Sequence, residues 1–261
     1  MSPSADLVAR LRAAGCVFAE HEARLLPEAD DEGRDLDEIA ERRIAGEPLE
    51  HLLGRVEFCG LRLAVEPGVF VPRSRTALLV QQALTALPEP RTGGSVVVDL
   101  CCGCGAVGAA LLAARPDLDL HAADLDPAAV HCARRNLPPD RVHEGDLYAA
   151  LPGRLRGRVD VLVANAPYVP TDDIAWMPPE ARDHEPVTAL DGGSDGLDVV
   201  RRVIEGAPGW LVPGGTVLVE SSIRQAPTVA FSMGAAGLEA SITHDDEAGG
   251  TVVRGVSRRR S

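Results

Sequence analysis

Short apolar runs closed by turn residues alternate with helical spacings through most of this chain. Near the N-terminus, Leu7, Val8, Leu11 and Ala14 recur at helical intervals, and Gly15 is placed to end that helix. A second helix is predicted from Asp35 to about Ala45, with Gly46 closing it and Asp30-Asp31-Glu32-Gly33 forming the loop between. The pattern then changes. Val56, Phe58, Leu61, Leu63 and Val65 predict a strand, Pro67-Gly68 a turn, and Val69-Phe70-Val71 a returning strand. Thr76–Leu87 is predicted helical, and Pro88–Gly94 a linker.

From Ser95 onward strands and helices alternate. Ser95–Leu100, Asp119–Asp124, Arg141–Asp146, Val159–Asn165 and Gly215–Glu220 read as strands. Ala106–Ala114, Pro127–Arg135 and Asp195–Glu205 read as helices, the second with proline at its first position. Two late strands, Leu238–His244 and Thr251–Ser257, flank a loop at Asp245–Gly250. A run such as Val159-Asp160-Val161-Leu162-Val163 suits a parallel strand covered on both faces. The alternation predicts a doubly wound, Rossmann-like α/β sheet with right-handed crossovers. Three regions are expected: a helical domain over 1–50, a β-hairpin linker over 51–75 and the main domain over 76–261.

The chain has 261 residues, 45% of them hydrophobic, enough for a sizeable core. The formal net charge of −13 disfavours non-specific binding to a phosphate backbone. Arg258-Arg259-Arg260 is the one basic run, and it reads as a solvated tail. No stretch has the length and apolarity of a membrane span, and the N-terminal residues lack a secretory apolar core. Six cysteines, three of them in one glycine-rich loop, make no disulfide framework and suit a reducing cytoplasm. A monomer with no membrane partner is expected.

The first strand leads into Asp99-Leu100-Cys101-Cys102-Gly103-Cys104-Gly105, which opens a helix. Ligands of doubly wound sheets bind beyond the carboxyl ends of strands. Gly103 and Gly105 let backbone approach a ligand, and the helix N–H groups can hold a carboxylate. The second strand ends at Asp124, about twenty residues on, where an acid can accept hydrogen bonds from both ribose hydroxyls of a nucleoside cofactor. Asp126 precedes Pro127 and reads as a helix N-cap. At the third strand end, Asp146 can accept from an adenine amino group and Leu147 can cover the ring. These strand ends suit either a dinucleotide or S-adenosylmethionine. Cys101, Cys102 and Cys104 lack the second ligand pair that a structural zinc wants, so no metal is expected.

Asn165-Ala166-Pro167-Tyr168 follows the fourth strand. An amide nitrogen is a poor nucleophile, because its lone pair is delocalised into the carbonyl. Orientation is therefore the main catalytic tool. The Asn165 side-chain oxygen and a backbone carbonyl of the loop can each accept one N–H, aiming the lone pair at a sulfonium methyl. Tyr168 can wall the planar group, and Pro167 fixes φ. A plain turn after a strand is the alternative use of such residues.

Three longer segments carry a family resemblance: Glu47–Gly54 with Glu57-Phe58-Cys59-Gly60; Val69-Phe70-Val71-Pro72-Arg73-Ser74-Arg75-Thr76; and Glu185-Pro186 to Leu190 with Gly192-Gly193-Ser194-Asp195-Gly196-Leu197-Asp198. With the loops above, the chain resembles the HemK-like protein-glutamine methyltransferases over roughly residues 47–225, a family that modifies release factors or a ribosomal protein. The resemblance implies a seven-stranded methyltransferase sheet, an N-terminal helical substrate-docking domain and S-adenosylmethionine as cofactor. It also implies that Phe70 lies near cofactor and glutamine. Three departures stand out. The family's N-P-P-Y is N-A-P-Y here, Cys101 replaces the first glycine of its D-x-G-x-G-x-G, and its T-E is Thr76-Ala77. The expected activity is methyl transfer to a glutamine nitrogen of a protein such as a translation factor or ribosomal protein. The alternatives are a small molecule or peptide natural product, an adenine amino group, and a non-catalytic cofactor-binding module.

Overall fold

The computed structural model describes residues 5–27, 35–90 and 93–258. The loop expected at Asp30–Gly33 and the end of the arginine run lie outside these residues. Helices α1 (Ala5–Ala13), α2 (Ala19–Leu25), α3 (Leu36–Ile44) and α4 (Leu49–Leu53) build the N-terminal unit. Leu7, Leu11, Ala23, Ile39 and Leu52 form its own small core. Arg43 runs through it, paired with the buried Glu22 at 2.6 Å and reaching Glu180 of the main domain at 2.6 Å.

The hairpin differs from its expected register. Strand β1 (Arg55–Phe58) pairs antiparallel with β2 (Leu61–Ala64), so the turn is Cys59-Gly60 rather than Pro67-Gly68. Cys59 (φ 49°) and Gly60 (φ 77°) both take the left-handed conformation that tight hairpin turns require. Val69–Val71 is no strand; it is an irregular segment with Val69 and Val71 buried, held by α4 through His51 Nε2, 2.9 Å from the Val69 carbonyl. Burial lowers the pKa of this histidine.

After α5 (Ala77–Ala86) comes the main sheet. Its strands are β3 (Val96–Leu100), β4 (Asp119–Asp124), β5 (Val142–Glu144), β6 (Val159–Ala164), β7 (Leu211–Glu220), β8 (Leu238–Asp245) and β9 (Gly250–Ser257). They lie in the order β5-β4-β3-β6-β7-β9-β8, all parallel except β9, which runs antiparallel to both neighbours. Helices α6 (Ala106–Ala114) and α7 (Pro127–Asn136) belong to one buried layer, and α10 (Asp198–Gly206) and α11 (Ala226–Ala235) to the other. Every residue of β3 and β6 is buried, as their continuous apolar runs require. The short helices α8 (Pro179–His184) and α9 (Val187–Leu190) follow the loop after β6.

This is the seven-stranded doubly wound α/β arrangement expected from the strand–helix alternation and the family resemblance. Strand order reverses between β3 and β6, so a crevice opens there at the carboxyl ends. Among the described residues no helix is long and apolar enough to cross a membrane.

Candidate active site

A cavity of about 410 Å³ fills that crevice, within the range of small-molecule sites. Of the residues predicted for the site, all but Gly105 line it. Gly105 instead caps α6 at φ 80°, where an added Cβ would meet the Leu137 side chain at 2.8 Å.

Backbone hydrogen bonds fold the β3 loop against β4. Cys102 N–H donates to the Ala123 carbonyl at 3.1 Å, and Gly103 N–H to the Asp124 carboxylate at 2.8 Å. The other Asp124 oxygen accepts from Asp126 N–H at 3.0 Å. Asp124 thus ties two strand ends while still facing the cavity, and burial raises its pKa. Asp126 caps α7, as its place before Pro127 predicts. Asp99 is fully buried and accepts from Gly108 N–H at 3.0 Å. Burial pushes it up to about 7, and the nearby Asp124 adds to the rise.

Cys101 stands where the family has glycine, and it takes φ 55°. That conformation costs an L-residue roughly 1–2 kcal/mol. The thiol packs against the core on one side and the cavity on the other. Burial pushes Cys101 and Cys102 up and Cys104 up to about 12, so all three stay protonated. No cluster of metal-ligating side chains occurs among the described residues.

Asp146 and Leu147 sit beyond β5. Leu147 is buried at φ 47° with its side chain on the cavity. Asp146 is engaged by Arg202 of α10 at 2.6 Å, a partner that no local sequence signal announces.

Beyond β6, Ala166 is buried and Asn165 half-buried. The Asn165 carboxamide has no hydrogen-bond partner among the described residues and lies on the cavity wall. The Tyr168 hydroxyl accepts from Arg75 at 2.9 Å and lies 3.3 Å from Glu220, which Arg75 also meets at 3.4 Å. Burial raises both Tyr168 and Glu220. Phe70 faces the cavity under the Arg73 guanidinium, 5.0 Å from its ring centre. Both oxygens of Glu185 meet Arg73, at 2.7 and 2.8 Å, and one also accepts from Val71 N–H at 3.1 Å.

Four aspartates, Asp99, Asp124, Asp126 and Asp146, line the cavity together with apolar residues such as Leu125 and Leu147. This donor set fits S-adenosylmethionine: acids suit ribose hydroxyls and cationic groups, and apolar faces suit an adenine ring. Arg73, Arg75 and Arg202 also line the cavity, although sequence reasoning gave them no role.

The model of the methyltransferase small domain matches residues 60–176. The chain is 42% identical over 206 residues to a release factor glutamine methyltransferase of Streptomyces coelicolor, covering 78% of this chain and 73% of the relative. Its identity to one from Deinococcus radiodurans is 38% over 259 residues, covering 91% of each. A solved methyltransferase from Pyrococcus furiosus shares the fold, with a TM-score of 0.56 at 17% identity over 76% of this chain and 90% of that one.

Proposed function

The chain belongs to the release factor glutamine methyltransferase family, and from that premise we propose that it methylates the side-chain nitrogen of a glutamine in a protein acceptor, a release factor first among them. Members of this family use S-adenosylmethionine, which when bound supplies a methyl group on a positively charged sulfur.

The rest of the work belongs to the chain. Asp124 receives the ribose hydroxyls with the lone pairs left over from Gly103 and Asp126. Asp146, oriented by Arg202, receives the adenine amino group, and Leu147 covers the ring. At the other end the Asn165 oxygen and a backbone carbonyl of the loop each accept one N–H of the acceptor amide. Phe70 and Tyr168 hold its plane and keep water away. The arrangement supplies orientation, which is what a weak nucleophile lacks. The N-terminal helices are the docking surface for the protein acceptor.

One observation carries the reading: Asn165 lines the crevice, and its carboxamide has no hydrogen-bond partner among the described residues. The test is transfer of labelled methyl to a release factor and to its Gln→Glu variant, located by mass spectrometry. We expect label only on the glutamine form. Asn165→Ala should lower kcat by about a hundredfold or more, with cofactor affinity nearly intact by calorimetry. Equal turnover by that variant sinks the amide-holding role.

A further inference from the structure

The acceptor loop carries Ala166 where the family motif has a first proline, so one of its backbone torsions is free of ring restraint. Its stiffness has another source, the loop between β7 and α11. The Gln225 amide nitrogen donates to the Tyr168 carbonyl at 2.9 Å and to the Asp195 carbonyl at 3.1 Å. Its oxygen accepts from the Ser222 hydroxyl at 2.6 Å. This fixes which way the amide points: the oxygen faces a hydroxyl donor, and the nitrogen faces two carbonyls.

Three segments distant in sequence therefore meet at one side chain. Gly196 is what lets them close. At φ 78°, a Cβ there would lie 2.4 Å from the Tyr168 carbonyl oxygen and 2.6 Å from the Gln225 nitrogen. Backbone bonds complete the seam: Val169 N–H to Leu190, Gly192 N–H to Val169 and Thr171 N–H to Gly193, each at 2.9–3.0 Å. Tyr168 is thus held at both ends, its hydroxyl by Arg75 and its carbonyl by Gln225.

We propose that Gln225 is a positioning residue for methyl transfer: by clamping the Tyr168 carbonyl it sets where Asn165 and the preceding loop carbonyl present their oxygens. The inference rests on the glutamine-acceptor reading for its consequence, but not for its geometry. Gln225 lies outside the lining of the crevice cavity, so its effect is exerted through the loop it clamps.

Two measurements on the full chain test it. The first needs no substrate. Hydrogen exchange of Gln225→Met should speed up locally at Val169, Thr171 and Gly192, while Tm moves by no more than about 4 °C. The second uses a glutamine peptide from the wild-type acceptor. Gln225→Met should lower kcat by about tenfold to a hundredfold, the scale of a small misplacement of reacting groups. KM for the peptide and the cofactor Kd should change less than about threefold, under 0.7 kcal/mol.

Gln225→Glu adds a pH signature. Its carboxylate faces two carbonyls at high pH, whereas the protonated acid can donate one bond, so kcat relative to wild type should rise as pH falls from about 8 to about 6. Unchanged exchange at the three amides overturns the clamp. So does a kcat loss that only tracks a global fall in Tm, or a rise in KM alone. If wild type is inert on the peptide while exchange still rises in Gln225→Met, the acceptor assignment fails and the clamp stands.

Discussion

Asp124 has two duties at once. Its carboxylate holds Gly103 and Asp126 N–H groups and still opens to the cavity. Asp124→Ala should weaken cofactor binding by about 1–3 kcal/mol by calorimetry, the range for leaving buried polar groups unpaired. Asp124→Asn, which keeps one acceptor oxygen, should recover part of that. A change of a few tenths would mean another acid holds the ribose. Asp99 makes a different prediction, in the ligand-free protein. Its native pKa, pushed up to about 7, lies above the ordinary carboxylate value. Between about pH 4 and 7 the native state therefore binds more protons than the unfolded one, and this group's contribution to stability falls as pH rises. Asp99→Asn removes that titration and keeps an oxygen for Gly108 N–H. It should be more stable than wild type at pH 8, by up to about 4 kcal/mol, with the advantage shrinking towards pH 5. Chemical denaturation at both pH values reads the difference, and an equal difference at both rejects the account.

Elements with a local cause were legible in the sequence. The buried runs of β3 and β6, the acids next to the end of β3 and at the end of β4, and the proline that starts α7 all lie within a few residues of the structure they produce. The hairpin turn was missed because Cys59 is not a residue that announces a positive φ, and Pro67-Gly68 offered a stronger nominal turn. Helix α11 has no strongly polar face, and α8 and α9 are too short to show a period. The candidate site divides the same way. Its strand-end residues could be named, but Arg75 finds Glu220 across 145 positions and Arg202 finds Asp146 across 56, pairings set by topology. One such pairing supports a test at this scale. Arg73 and Glu185 bind the segment after the hairpin to the segment that follows the loop after β6, and the Glu185 side chain is fully buried. Arg73→Ala leaves that carboxylate with only Val71 N–H, and should cost about 2–3 kcal/mol at pH 8. Burial already raises Glu185, so it protonates more readily without its cation, and the deficit should narrow as pH falls. A deficit constant from pH 8 to pH 5 in thermal melts would mean the loss is one of packing alone.

The whole molecule joins two cores with different tasks. The sheet and its flanking helices form the crevice and the main core, whereas α1–α3 pack on a separate cluster. Among the described residues the units are linked near the site by the Arg43–Glu180 pair and by α4, whose Leu52 belongs to the small core while His51 grips the Val69 carbonyl beside Phe70. If the N-terminal helices dock a protein, the energy of that contact is spread over a surface the reacting glutamine never touches. Removing residues 1–46 should then separate two kinds of acceptor. Cofactor affinity and kcat/KM for a short glutamine peptide should stay within about threefold of the full chain, while kcat/KM for the folded release factor falls at least about tenfold, or 1.4 kcal/mol of lost docking. A Tm control is needed, because Leu52 loses its cover and the exposed face weakens α4. Parallel losses on peptide and protein would show the helices act by supporting the Val69–Arg73 segment, and would assign docking to some other face of the main domain.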